Sequence, residues 1–211
     1  MIVFNRISRL ALCCALLGYA SNCVAAPVAV TNPGFEDISG ENVQGEFTFG
    51  ALNGWDLYDP NEETSQGDGP NYYIGTLTPF EADPNGNPGV YEFFPDGALE
   101  GERVGIAFNF SPTGNQTEYG LIQELSVALQ PYTTYTLEVG IGNIDTGVAS
   151  TGTFPLQGFP GYRVELQAGG MMLEEDDNSL GSSIPDGEFA ISTVTFTTGA
   201  NHPQVNQNLG I

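Results

Sequence analysis

Apolar and small residues alternate through the middle of the chain with the period of a β-strand. Val104, Ile106, Phe108 and Phe110 fall on one side, with Gly105, Ala107 and Asn109 on the other. That pattern predicts a strand with one greasy face. Its opposite face is so small that another backbone or a ligand can approach closely there. Tyr135, Leu137, Val139 and Ile141 repeat the alternation after the turn signal Gln130-Pro131. Tyr162, Val164 and Leu166 do so again, and Gly169-Gly170 predicts a hairpin into Met171 to Leu173. The acidic run Glu174-Glu-Asp-Asp177 reads as a hairpin loop. Near the end, Phe189 and Ile191 share one parity while Val194 and Phe196 share the other. A bulge near Ser192-Thr193 is the expected device for turning all four to the core.

Composition supports an all-β reading. With 28 glycines and 14 prolines spread along 211 residues, almost no window could hold three turns of helix. Short strands separated by turn signals predict a sandwich or jelly roll rather than a barrel with a helical shell. Residues 1–25 read as a signal peptide. Arg6 and Arg9 precede an apolar stretch from Leu10 to Tyr19 that is too short to span a bilayer, with small residues before Ala25. Residues 26–211 are expected to form one domain, secreted or periplasmic and with no membrane insertion. Its three cysteines, Cys13, Cys14 and Cys23, all lie in the leader, so disulfides cannot hold that domain together.

Charge narrows the partners. Beyond the leader only Arg103 and Arg163 face 26 acidic residues, and the chain has no lysine. Nucleic acid needs a positive footprint and is excluded. A divalent cation is favoured instead, because self-repulsion on this scale opposes compaction. One histidine, His202, and the absence of cysteine beyond the leader remove zinc, haem and iron–sulfur ligation. Abundant hard oxygens leave calcium as the expected cofactor, with Glu36 as the leading ligand and Asp37 and Glu100 beside it. Against this stands a plain strand start, with Phe35 buried and Glu36 solvated. A nucleophilic triad lacks its base, since His202 lies in the turn-like Asn201-His-Pro203. Paired carboxylates for glycoside hydrolysis cannot be picked out where acids are everywhere. Aromatic residues offer a ligand pocket, with Trp55, Phe110, Phe154 and Tyr162 as its candidate walls; for Trp55 a role in the core competes.

Several runs carry a family resemblance that spans Val28 to Ile211. They include Asn32-Pro-Gly-Phe-Glu-Asp37, Gly54-Trp-Asp-Leu-Tyr-Asp-Pro-Asn61 and Glu100-Gly-Glu-Arg-Val-Gly105. The most specific is Gly158-Phe-Pro-Gly-Tyr-Arg-Val-Glu-Leu166. Together they resemble the Stig cyclases, which close the rings of hapalindole-type indole alkaloids. The resemblance implies an all-β, calcium-dependent jelly-roll β-sandwich, like carbohydrate-binding and galactose-binding modules and usually a homodimer, with its C-terminal strand missing from this sequence. It also implies a Cope rearrangement, an acid-started cyclisation and an electrophilic closure onto the indole. It places a pocket tyrosine after the glycine matching Gly105, where this chain has Ile106, and a proton-donating Asp in a last strand beyond Ile211. With neither group found, the first reading is an exported calcium-binding module holding a small apolar or glycan ligand. The second reading is a terpenoid-indole cyclase.

Overall fold

The computed structural model describes residues 2–7, 10–14, 26–69, 72–81, 91–109, 117–149, 152–156 and 158–211. Among them every regular element is a β-strand except one 3-10 turn, Gly181–Ser183. All strand pairs are antiparallel.

The largest sheet is built around Thr133–Asn143, the eleven-residue strand whose alternation is the longest in the chain. Glu188–Thr197 pairs along one edge of it in unbroken register, from Thr134 opposite Thr197 to Asn143 opposite Glu188. Ile2–Ile7 and Leu10–Cys14 lie along its other edge. Ile2–Ile7 in turn pairs with Val104–Asn109, followed by Tyr72–Leu77, Phe47–Phe49 and Asn42–Gln44. A second sheet holds Glu124–Ala128, Asn208–Gly210, Arg163–Ala168 and Met171–Asp177. A third, smaller one joins Gly152–Phe154, Gly147–Ala149, Tyr91–Glu92 and Phe80–Glu81.

Each face of the large sheet carries an apolar cluster. On one, Tyr135, Leu137, Val139, Ile141 and Val194 pack with Leu125, Val164, Leu166, Ala168 and Leu209 of the second sheet. On the other, Leu77, Val104, Ile106 and Phe108 pack with Phe93, Phe94 and Ile144, and Phe154 closes over them. Burial of this much apolar side chain, at about 25 cal/mol per Å², is the driving force in a domain without cross-links.

Three expectations are corrected. Glu188–Thr197 has no bulge; its two parities serve two different faces, so Val194 is buried and Ile191 is 49% exposed. Phe189 instead stacks on Phe94 with centroids 4.3 Å apart. The acidic run 174–177 is no loop, because Met171–Asp177 continues as a strand opposite Arg163–Ala168. The hairpin turn is Gly169-Gly170, both at positive φ (58° and 73°), where a side chain would be strained. Finally, the small face of Val104–Asn109 admits a protein side chain. The Phe35 ring lies so close over Gly105 that a Cβ there would meet it at 2.9 Å.

Candidate functional site

Four rings form a continuous aromatic shelf on the outer face of the large sheet. Alternation in Phe47-Thr48-Phe49 puts both phenylalanines on one side, stacked 5.6 Å apart at 13°. They lie opposite Leu77 and Gly75 of the neighbouring strand, and Tyr73 continues the same face. Tyr73 pairs in register with Phe108, and their rings stack at 4.8 Å and 17°. Phe49 meets Tyr73 at 4.9 Å, and Phe93 stands edge-on to Phe47 at 5.8 Å. Phe108 is buried, whereas Phe47, Phe49 and Tyr73 are half-buried and keep surface for a ligand.

Ile106 lies in the same cluster, fully buried and opposite Gly75. Gly142 shares its face, since both are opposite Val3. The third sheet approaches closely: at Gly147 a Cβ would fall 2.1 Å from the Phe93 ring. Among the hydrophobic residues that form the cluster, Tyr73 and Tyr91 carry phenols. Burial raises the Tyr91 pKa, and the charges of Glu46 and Glu81 push it the same way.

Behind the shelf, on the opposite face of the same strands, runs a directed chain of hydrogen bonds. Arg103 donates from Nε and Nη2 to the Thr76 hydroxyl, at 3.0 and 2.7 Å, and from Nη1 to Thr78 at 2.9 Å. The Thr76 and Thr48 hydroxyls are 2.7 Å apart, and Thr48 donates to Glu41 at 2.6 Å. Because Thr48 has one proton and gives it to the carboxylate, Thr76 must donate to Thr48. The order Arg103, Thr76, Thr48, Glu41 therefore links a cation to an anion through two hydroxyl groups that are completely buried. Burial pulls the Arg103 pKa down, while Glu41 and Glu36 oppose that shift. This chain pins the Phe47–Phe49 strand against its neighbour and so fixes where the shelf rings stand.

Arg163, the other cation beyond residue 25, is engaged at the surface. It forks onto Glu118 at 2.7 and 2.9 Å and reaches Glu165 at 2.7 Å. The Glu118 hydrogen bonds hold its guanidinium well above the ordinary arginine range, against a smaller opposing effect of burial. Neither arginine belongs to the apolar cluster that holds the shelf.

The residues expected to wall a pocket lie in separate places. Trp55 is 6% exposed, packs on Phe35 at 5.3 Å, and donates its indole N–H to the Asn32 carbonyl. Tyr162 belongs to the core between the first two sheets, and Phe154 covers the shelf side. Phe110 lies outside the described residues. Phe47 and Phe49 escaped the sequence reading, although the Phe-Thr-Phe alternation was there to find. Lone His202 is held locally, with Nδ1 accepting from the Gln204 amide and its ring edge-on to Phe196.

The expected calcium ligands take other partners. Glu36 Oε1 accepts from the backbone N–H groups of Glu102 and Arg103 at 2.9 and 3.0 Å, clamping the turn before Val104. The residue lies outside any strand and stays exposed. Asp37 accepts from the Ser39 hydroxyl and amide and from Asn53, and those bonds hold its pKa low. Glu100 is exposed. Among the described residues no three His, Cys, Asp or Glu side chains gather closely enough to hold a metal ion. A calcium ion beside Glu36, Asp37 and Glu100 would have to draw on backbone and amide oxygens as well as carboxylates.

Comparison with known proteins gives this arrangement a family. The HpiC1-like family, described as HpiC1 cyclase, matches residues 26–211. The chain belongs to the HpiC1-like, or Stig, cyclase family. An apo-form cyclase from Fischerella sp. is 32% identical in crystal structure, covering 87% of this chain and 83% of that one, with a TM-score of 0.70. A Stig cyclase from Fischerella sp. TAU is 34% identical, covering 87% and 84%, with a TM-score of 0.70; it holds (3Z)-3-(1-methyl-2-pyrrolidinylidene)-3H-indole. A cyclase from the same organism, also 34% identical over 87% and 84%, with a TM-score of 0.67, holds 4-(1H-indol-3-yl)butan-2-one. No curated protein matches the chain. Two of these relatives hold small indole ligands.

Proposed function

We propose that this protein is an indole alkaloid cyclase built on a jelly-roll β-sandwich, with the aromatic shelf as its substrate surface. The observation that carries this reading is a half-open, uncharged run of rings in a chain whose relatives hold indole ligands. Stacked aromatic faces would bind an indole and fold a flexible terpenoid arm over it. Their negative quadrupoles would also stabilise positive charge that develops during cyclisation. A proton donor for such a reaction needs a raised pKa, which argues against Asp176. Burial pushes that carboxyl up, but hydrogen bonds from Ser192, Tyr162 and Ser179 outweigh it and hold it low.

A glycan-binding reading needs a flat exposed platform, and buried Trp55 and Tyr72 do not provide one. The reading is tested by calorimetric titration with 4-(1H-indol-3-yl)butan-2-one and by incubation with an isonitrile-bearing terpenoid indole. Saturable binding that Phe49→Ala weakens by about tenfold is expected, together with a cyclised isomer identified by chromatography and NMR. Failure of the wild type to bind the indole, or to change the terpenoid substrate, would refute it.

Export before activity also belongs to this reading, supported by the charged, apolar and small-residue order of residues 1–25. Mass analysis of secreted protein should show an N-terminus at Ala26. Cleavage there would remove Ile2–Ile7 and Leu10–Cys14 from the large sheet. A secreted chain that still begins at Met1 would rule out cleavage after Ala25, and a chain retained in the cytoplasm would rule the export signal out.

A further inference from the structure

We infer that Met171 and Met172 form an oxidation site, at which neutral hydroperoxides convert both thioethers to sulfoxides without unfolding the chain. Beyond residue 25 these two side chains hold all the sulfur in the sequence, since Met1, Cys13, Cys14 and Cys23 come before it. Both stand at one hairpin tip, directly after the Gly169-Gly170 turn. Met171 is 58% exposed and Met172 52%, although methionine ranks among the side chains most often buried. This site is independent of whatever the shelf binds.

Strand register explains the exposure. Met171 lies opposite Ala168 and Met172 opposite Gln167, whereas Glu174 lies opposite Leu166. Leu173 is therefore the extra residue of a bulge, and it packs against the core between the first two sheets. The strand is anchored by Leu173 and, further on, by buried Asp176, so both thioethers project beyond its anchors. Oxidation breaks the peroxide O–O bond. The sulfur gives up two electrons and gains one oxygen, while the other oxygen leaves as water or an alcohol. In a core the new S=O dipole would be stranded without a partner; at this tip it meets water, so the folded state loses little. A formal net charge of −22, with Glu174 and Glu175 exposed on the same strand, repels anionic oxidants. Neutral hydroperoxides meet no such barrier. Trp55, another oxidisable side chain, is 6% exposed and has its indole N–H engaged.

The sequence makes the test clean. Arg163 is the last basic residue that trypsin recognises, so one tryptic fragment, residues 164–211, holds both methionines and no other sulfur. Full-length protein should be treated with hydrogen peroxide while folded, then digested and weighed. That fragment should gain two oxygen atoms in wild type, one in Met171→Leu or Met172→Leu, and none in the doubly substituted protein. Each methionine should react within about tenfold of the rate of N-acetylmethionine amide, because exposure governs susceptibility. Oxidised wild type should melt within about 3 °C of the doubly substituted protein treated in the same way, a comparison that cancels any oxidation of the leader cysteines. Slower reaction of either methionine, or a larger fall in melting temperature, would overturn the proposal. Oxygen gained by the fragment of the doubly substituted protein would overturn it too, by placing the reactive group elsewhere.

Discussion

Asp176→Ala is expected to destabilise the folded chain by about 3 kcal/mol, the cost of stranding several buried donors. Asp176 lies in Met171–Asp177 and is only 8% exposed. Its Oδ2 accepts from the Tyr162 phenol at 2.6 Å and from the Ser192 hydroxyl at 2.5 Å. Its Oδ1 accepts from the Ser179 amide at 2.9 Å. Tyr162 closes the Gly158-Phe-Pro-Gly-Tyr segment, Ser192 belongs to the large sheet, and Ser179 opens the turn after the strand. One carboxylate therefore joins two sheets and a turn. The Tyr162 oxygen also accepts from the Leu180 amide at 3.2 Å, so moving the phenol would release a second segment.

Acid should erase this contribution. Although burial pushes the Asp176 pKa up, the bonds from Ser192, Tyr162 and Ser179 prevail and leave it below the ordinary value. A carboxyl with a depressed folded pKa stabilises fully above its unfolded pKa, near 3.9. That stabilisation is lost as pH falls through the folded value. The difference in urea midpoint between wild type and Asp176→Ala should therefore be largest near neutral pH and shrink below about pH 4. A gap that is constant with pH would show that the ionised carboxylate is not the source. Asp176→Asn, which keeps one acceptor, should fall between the two.

Particular residues show what the sequence revealed and what it concealed. Alternation found the strands at 104–109 and 133–143 and the Gly169-Gly170 hairpin, because each has one apolar parity and local turn chemistry. It failed at Glu188–Thr197, where Phe189 packs on Phe94 over one face, Ile191 on that face is 49% exposed, and Val194 turns to the core on the other. A one-core picture demands a bulge there; a strand with apolar residues on both faces needs none. The family was legible in the Gly-Phe-Pro-Gly-Tyr-Arg run. Its Tyr162 bonds Asp176, and its Arg163 bonds Glu118 and Glu165, so the motif reports a structural joint as much as a pocket. Glu36 was singled out as a calcium ligand, and the partners the structure gives it are the amides of residues 102 and 103, far away in sequence. No local pattern distinguishes a carboxylate that clamps a distant turn from one that binds a cation. The shelf was missed because its rings come from three strands, and register alone brings them together.

Gly75→Ala should be the most damaging small substitution at the shelf. Gly75 lies within Tyr72–Leu77, between Phe49 on one side and Ile106 on the other. A Cβ at this position would sit 1.8 Å from the Thr48 carbonyl oxygen and 3.0 Å from the Phe49 Cα. Those are backbone atoms, so no rotamer change can relieve the clash; the Phe47–Phe49 strand itself would have to move. Overpacking of this kind costs about 3 kcal/mol. The same movement would carry Phe47 and Phe49 off the shelf and stretch the contact between Thr48 and Thr76. Indole affinity should therefore fall by well over tenfold, even at temperatures where the variant remains folded. Gly120→Ala is the matched control, because nothing lies within 4 Å of a Cβ there. It should leave stability within about 1 kcal/mol of wild type. If Gly75→Ala melted and bound indole like wild type, the two strands would not be in the tight contact on which the shelf depends.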